Sequence, residues 1–276
     1  MPKLKKAYSF SNKKQIWRLL VTDSDNLVIE TRDLKTKEVS FTCLDILTGK
    51  KVFKNFQHDE KIWLGIEDIY KDIIYFHKYA KPDMPGHKGI IAFDINSQDE
   101  IWNTQEFLYL FAHEDKIYAY KELFEGRRFF TLNYKTGKLT EDLGESYELV
   151  NNLRNEAKQK KDYSNYSFPE NFFRQDNSIP GISNAIFNFI NKDDALGSIE
   201  YILKGSLLLF NCHKKIKEGN YTNLFFAIDI DSQKEITKFV LNSNVNSVVP
   251  DSFFIYKDML LILKEKTELI VFQIET

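Results

Sequence analysis

Cysteine is almost absent from the 276 residues, which carry only Cys43 and Cys212. Each lies in or beside an apolar run, and this is the pattern of two unpaired thiols in a reducing compartment rather than of a disulfide framework. No apolar run reaches the length a transmembrane helix requires, and MPKLKKAYSF at the start has neither an apolar h-region nor a small-residue cleavage site. A cytoplasmic protein is therefore expected. Charge of one sign is also missing: the formal net charge is −2, so long-range electrostatics favour neither nucleic acid nor a membrane surface as partner. Motifs for common chemistry are lacking as well. No GxSxG, Walker sequence or GxGxxG occurs, which leaves nucleophile elbows and phosphate loops without local support.

What the chain has in quantity is Phe and Tyr, 23 and 14 residues, an enrichment that favours strands. It also repeats itself. IIAFDINSQDEIW (90 to 102) aligns without a gap on CLDILTGKKVF (43 to 53), TLNYKTGKLTE (131 to 141), AIDIDSQKEIT (227 to 237) and VFQIET (271 to 276). Asp45, Asp94, Asn133, Asp229 and Gln273 anchor this column, and the first four continue through a short polar turn into another strand-like segment. A second column lies upstream, in NLVIE, DIIYF, KIYAY, SLLLF and MLLIL. Each repeat thus reads as four strands, a to d, with tight a–b and c–d turns and a variable b–c loop.

Four antiparallel strands recurring every 40 to 50 residues or so are the signature of a β-propeller blade. The fold class expected is all-β, a single five-bladed propeller over 1–276 with a helix-containing insertion, 146–196, between blades three and four. The alternative is a six- or seven-bladed ring with a degenerate blade in that segment. The fifth repeat stops after its strand c, and residues 4 to 10 are placed to supply the missing strand and close the ring.

The hairpins resemble the repeats of quinoprotein-like (PQQ-repeat-like) propellers, in which an apolar strand ending in Asp meets a Thr-Gly-Lys type turn. The chain looks most like bacterial propeller-domain families without an assigned role. The resemblance implies the architecture and no particular chemistry, because such repeats serve cofactor-dependent dehydrogenases and noncatalytic scaffolds alike.

The anchoring aspartates are read as caps on turn N–H groups. The five histidines, His58, His77, His87, His113 and His213, show no metal-ligand spacing, so no metal, cofactor or catalytic residue is assigned. The b–c and d–a connections are expected to form one face of long loops, and a rigid scaffold with one elaborated end is a binding architecture. The candidate contact residues on it are His77 and His213 at the starts of b–c loops, Arg127 and Arg128 as a clamp for an anion, Trp102 as an exposed aromatic, and Phe172 and Phe173 in an insertion folded over that face. Trp17, Trp63 and Phe107 are read as packing between blades. The expected function is noncatalytic binding of a protein partner or a small polar ligand by a monomer. The alternative is a glycan-acting hydrolase, for which Glu67 and Asp68 are the acids to inspect first.

Overall fold

The second column of apolar runs becomes a set of central strands buried on both faces: Leu27, Val28 and Ile29 are fully inaccessible, as are Leu207 to Phe210. In the computed structural model, which describes residues 1–81, 84–172 and 180–275, every one of these runs is flanked by antiparallel neighbours. The first strand, β1 (Lys3–Phe10), is followed by four strands that form sheet I, β2 (Gln15–Val21), β3 (Asn26–Arg32), β4 (Val39–Asp45) and β5 (Lys51–Phe56). Sheet II contains β6 (Leu64–Tyr70), β7 (Ile73–Lys81), β8 (Met84–Asp94) and β9 (Asp99–Thr104). Sheet III contains β10 (Leu108–His113), β11 (Lys116–Leu123), β12 (Gly126–Asn133) and β13 (Leu139–Gly144), and is followed by helix α1 (Tyr147–Lys160).

After two short strands, β14 (Tyr166–Ser167) and β15 (Glu170–Phe172), comes helix α2 (Pro180–Phe187). Sheet IV is then built from β15 with β16 (Ala195–Lys204), β17 (Leu207–Lys217), β18 (Asn220–Asp229) and β19 (Lys234–Val245). Sheet V joins β20 (Phe253–Tyr256), β21 (Met259–Lys264) and β22 (Glu268–Glu275), with β14 on one edge and β1 on the other. The protein is all-β with few helices, and its sheets are four- or five-stranded antiparallel meanders. The pairing of β1 with β22, from Lys3 opposite Glu275 to Phe10 opposite Leu269, is the one the sequence led us to expect.

The chain divides into two compact units. In the unit Lys14–Asp162, sheets I and II meet through Phe41, Phe53, Phe76 and Phe93. Sheets II and III meet there through Tyr75, Phe107, Tyr109 and Phe130. Helix α1 covers Phe111, Tyr118 and Phe129 with Val150, Leu153 and Ala157, and Ser146 caps its N-terminus by accepting from the Leu149 N–H. In the unit formed by Met1–Lys13 and Tyr163–Thr276, α2 packs on sheet IV through Ile182 and Ile186, and sheet IV on sheet V through Phe225 and Phe253.

The c–d turns behave as read. Asp45 accepts from the Thr48 N–H at 2.8 Å, Asp94 from Asn96 at 2.7 Å and Asn133 from Thr136 at 3.0 Å. The fourth residue after each anchor, Gly49, Gln98, Gly137 or Gln233, is left-handed. At Gly137 a Cβ would also stand 2.6 Å from the Trp102 ring. Gly137→Ala should therefore cost more than the ~1–2 kcal/mol of the backbone conformation alone. Urea denaturation followed by tryptophan fluorescence measures it, and a loss under 1 kcal/mol would contradict this account of the turn.

Two expectations are corrected. The b–c segments 77–89 and 211–223 are expected as long loops, but β7 and β8 stay paired as far as Lys81 opposite Met84 and β17 and β18 as far as Lys217 opposite Asn220, with Tyr79 opposite His87 and Lys214 opposite Thr222. The left-handed Gly219 lets the β17–β18 hairpin extend and turn tightly. The insertion is expected to fold over the loop face. Instead β14 pairs with β20 and β15 with β16, so its main chain satisfies strand edges that water would otherwise have to satisfy.

Candidate functional site

Sheet II concentrates ionisable side chains where a β-sheet usually buries apolar ones. Three of them, Glu67 on β6, His77 on β7 and His87 on β8, bring their donor atoms within 4.8 Å of one another. Two irregularities aim them. The β6–β7 register slips between Ile66 and Asp68, which leaves Glu67 as an unpaired bulge residue. The β7–β8 register slips between Phe76 and Lys78, opposite Gly89, whose φ of 69° favours glycine and whose Cβ would meet the Thr104 carbonyl at 2.8 Å. Gly65 leaves room for the His77 ring, since a side chain there would press on Nε2 at 3.0 Å.

Glu67 Oε2 lies 2.7 Å from Nδ1 of His77 and 2.6 Å from Nδ1 of His87. The two imidazoles are stacked, with centroids 3.5 Å apart and planes within 5°. An oxygen equidistant from two stacked rings lies in the plane of neither, and Oε2 makes no hydrogen bond, nor does either nitrogen of His77. His77 is 1% exposed, while the His87 side chain is 38% exposed and opens the cluster to solvent. Burial holds the His77 imidazole below its ordinary pKa, against the pull of Glu67, and nearby His87 and Arg18 add to the lowering. Burial alone would raise the Glu67 carboxyl, but the two imidazoles outweigh it and hold it below its ordinary value.

Around this cluster lies a second set of charges. Glu30, fully buried, pairs with Arg32 at 2.8 Å and accepts from the Ile66 N–H at 3.3 Å. Arg32 also donates to the Leu64 carbonyl at 2.9 Å and lies over the rings of Trp17 and Tyr79. Arg18 donates to the Ile66 carbonyl. Asp68 accepts from the Tyr109 hydroxyl at 2.7 Å, so the adjacent carboxyls of Glu67 and Asp68 serve different partners.

Of the contact residues singled out in the sequence, His77 enters this cluster, and so does Glu67, named there as an acid of the hydrolase alternative. His213 is buried at 1% and its Nε2 accepts the Val249 N–H at 3.0 Å, which makes it an anchor for the segment before β20. Arg127 reaches Glu122 at 3.3 Å and covers the Tyr120 ring. Arg128 forks onto Asp142, its closest contact being 2.8 Å. Trp102, expected to be exposed, packs against sheet III and donates to the Tyr134 carbonyl at 3.0 Å. Trp17 and Trp63, expected to be buried, are exposed. Phe172 is 2% exposed and belongs to the core under α2, because pairing on β16 turns its ring inward. Phe173 lies outside the described residues. Sequence reasoning passed over His87, Glu30, Arg18 and Arg32. The available signal was their spacing: His77 and His87 stand ten residues apart on the two arms of one hairpin, and with Tyr79 opposite His87 the two histidines are diagonal neighbours across it.

The fold and this cluster define an all-β protein of meander sheets with a buried, incompletely hydrogen-bonded ionisable centre. A family model described as Domain of unknown function (DUF4905) matches residues 20–102, a stretch that contains Glu30, Arg32, Glu67, His77 and His87. No curated protein matches the chain in sequence. Among solved structures, the chain is similar to the β-propeller domain of the Trilobed protease from Pyrococcus furiosus, with 11% identity and a TM-score of 0.32 over 92% of this chain and 63% of that one. This chain therefore spans less than two thirds of that structure's length. Among the described residues, no helix is long and apolar enough to cross a membrane.

Proposed function

We propose that the meander sheets are the blades of one five-bladed propeller, and that the protein is a noncatalytic binding module holding a small polar ligand at the Glu67, His77 and His87 cluster. The single observation that carries the reading is the buried polar atoms of Glu67 and His77 left without hydrogen bonds. A native core pairs nearly all such atoms, so unpaired ones grouped beside a solvent opening indicate a group that completes them. Arg18, Arg32 and Glu30 hold the flanking backbone of β6 in place, the rigid support a binding site needs. The quinoprotein-like repeat contributes the scaffold in this reading and no redox cofactor.

The test is a thermal-shift panel of polar small molecules with EDTA present, run on the wild type, Glu67→Gln, His87→Ala and the double variant Arg127→Ala/Arg128→Ala. A ligand that raises Tm by several degrees in the wild type should fail with the first two variants and act normally on the third. Loss of the shift with the arginines and its retention in Glu67→Gln would move the site to the β11–β12 hairpin and overturn the assignment.

A further inference from the structure

Three electron-pair donors meet at one point of sheet II with no proton correctly placed between them. If the imidazoles were protonated, two cations would be stacked at 3.5 Å, close enough to Arg18 for its charge to act on His77. If both Nδ1 atoms were unprotonated, their lone pairs and a carboxylate oxygen would be crowded at 2.6 to 2.7 Å. A cation shared by the three relieves either arrangement, and the donor set of two imidazole nitrogens and one carboxylate oxygen selects which kind. Magnesium and calcium take oxygen shells, whereas two histidines with a carboxylate suit zinc and its late first-row neighbours.

The same environment appears elsewhere in the chain in a satisfied form. On sheet IV, Glu200 accepts from the Asn211 amide at 2.8 Å and from the Asp251 N–H at 2.9 Å, so its carboxylate is used up in holding the fold. Asn211 and His77 occupy the same place in the repeat, five residues after the start of the aligned apolar run. Where sheet IV has an amide that completes its carboxylate, sheet II has an imidazole that does not, and β8 adds a second imidazole.

We propose that Glu67, His77 and His87 form a binding site for one divalent transition-metal ion of the zinc type. The inference rests on the cluster identified above and names what completes it. A metal cannot lie in the planes of two parallel rings, so ligation turns the His87 ring out of the stack, which its exposure permits, while His77 stays fixed beside Gly65 and Tyr79. The three ligands leave a fourth position toward solvent, as in sites where zinc holds a water or a ligand group.

The experiment titrates the tag-free, EDTA-stripped full chain with Zn²⁺ by calorimetry and with Co²⁺ by visible absorption. The expected result is one equivalent of Zn²⁺, Co²⁺ bands characteristic of four-coordination, and an affinity at least 100-fold weaker in Glu67→Gln and in His87→Ala. Both variants should fold, since one is isosteric and the other removes a partly exposed ring; His58→Ala, remote from the cluster, should bind as the wild type does. Substoichiometric binding, or affinity unchanged in both site variants, overturns the metal site. Polar-ligand shifts that persist in EDTA and vanish in Glu67→Gln, without stoichiometric Zn²⁺ uptake, would sink the metal and leave the binding module standing. Stoichiometric uptake with no ligand from the panel would do the reverse.

Discussion

Removal of residues 1–10 should leave a protein that is insoluble or unfolded, although three of the ten are lysines and the segment carries little apolar surface beyond Leu4, Tyr8 and Phe10. β1 is the outer partner of β22 along its whole length. Without it, the edge from Leu269 to Glu275 would present unpaired N–H and C=O groups on a strand whose Leu269, Val271 and Ile274 are buried, the arrangement most prone to edge-to-edge association. Phe10, 7% exposed, and Leu4, packed on the core between sheets IV and V, would also be lost. Burial of Phe10 alone is worth about 2–3 kcal/mol, a large part of the ~5–15 kcal/mol that stabilises a typical domain. Soluble yield and the urea midpoint of the truncated chain measure the effect. A truncated protein that melts with the parent would show that the β1–β22 pairing contributes little.

The second large effect is a loss of stability in mild acid, and His213 is its source. Burial pushes this imidazole down to about 4, from the ordinary 6.5, and its Nε2 must remain unprotonated to accept the Val249 N–H. The unfolded chain binds the proton at about 6.5 and the folded chain does not, so the contribution is complete above pH 6.5 and is lost as pH falls toward 4. Between pH 7 and pH 5 it amounts to about 2 kcal/mol. His77, lowered by burial, acts in the same direction. Glu200, raised by burial above its ordinary 4.5, acts in the opposite direction as pH falls through its raised value toward 4.5, because its protonated form is favoured in the folded state. His213→Gln keeps an acceptor and removes the titration. Urea denaturation at pH 7 and pH 5 should show a variant less stable at pH 7 but with most of the slope gone. A variant that keeps the slope of the wild type would place the titration elsewhere.

Both thiols are inert by the same physics. Cys43 and Cys212 are buried and unpaired, and burial raises each to about 12, so neither is a nucleophile near neutral pH. The isolated cysteines of the sequence already implied this. The polar residues were harder to read. His77 and His213 looked alike in the sequence, each at the end of an apolar run, yet one meets a carboxylate and a second imidazole while the other meets a single backbone N–H. Asp68 and Glu67 are neighbours in the chain, but a one-residue bulge sends them to different partners.

The sequence by itself determined the strands, their order within each meander, the capped c–d turns, the presence of a helix in the 146–196 insertion and the partnership of the first strand with the last. These depend on local periodicity and turn chemistry, which act over a few residues and recur in every repeat. Tertiary structure alone decided the extension of the b–c hairpins, the use of the insertion as edge strands, and the meeting of Glu67 with His77 and His87. Those outcomes turn on register, and a single bulge residue reverses the face on which a side chain emerges.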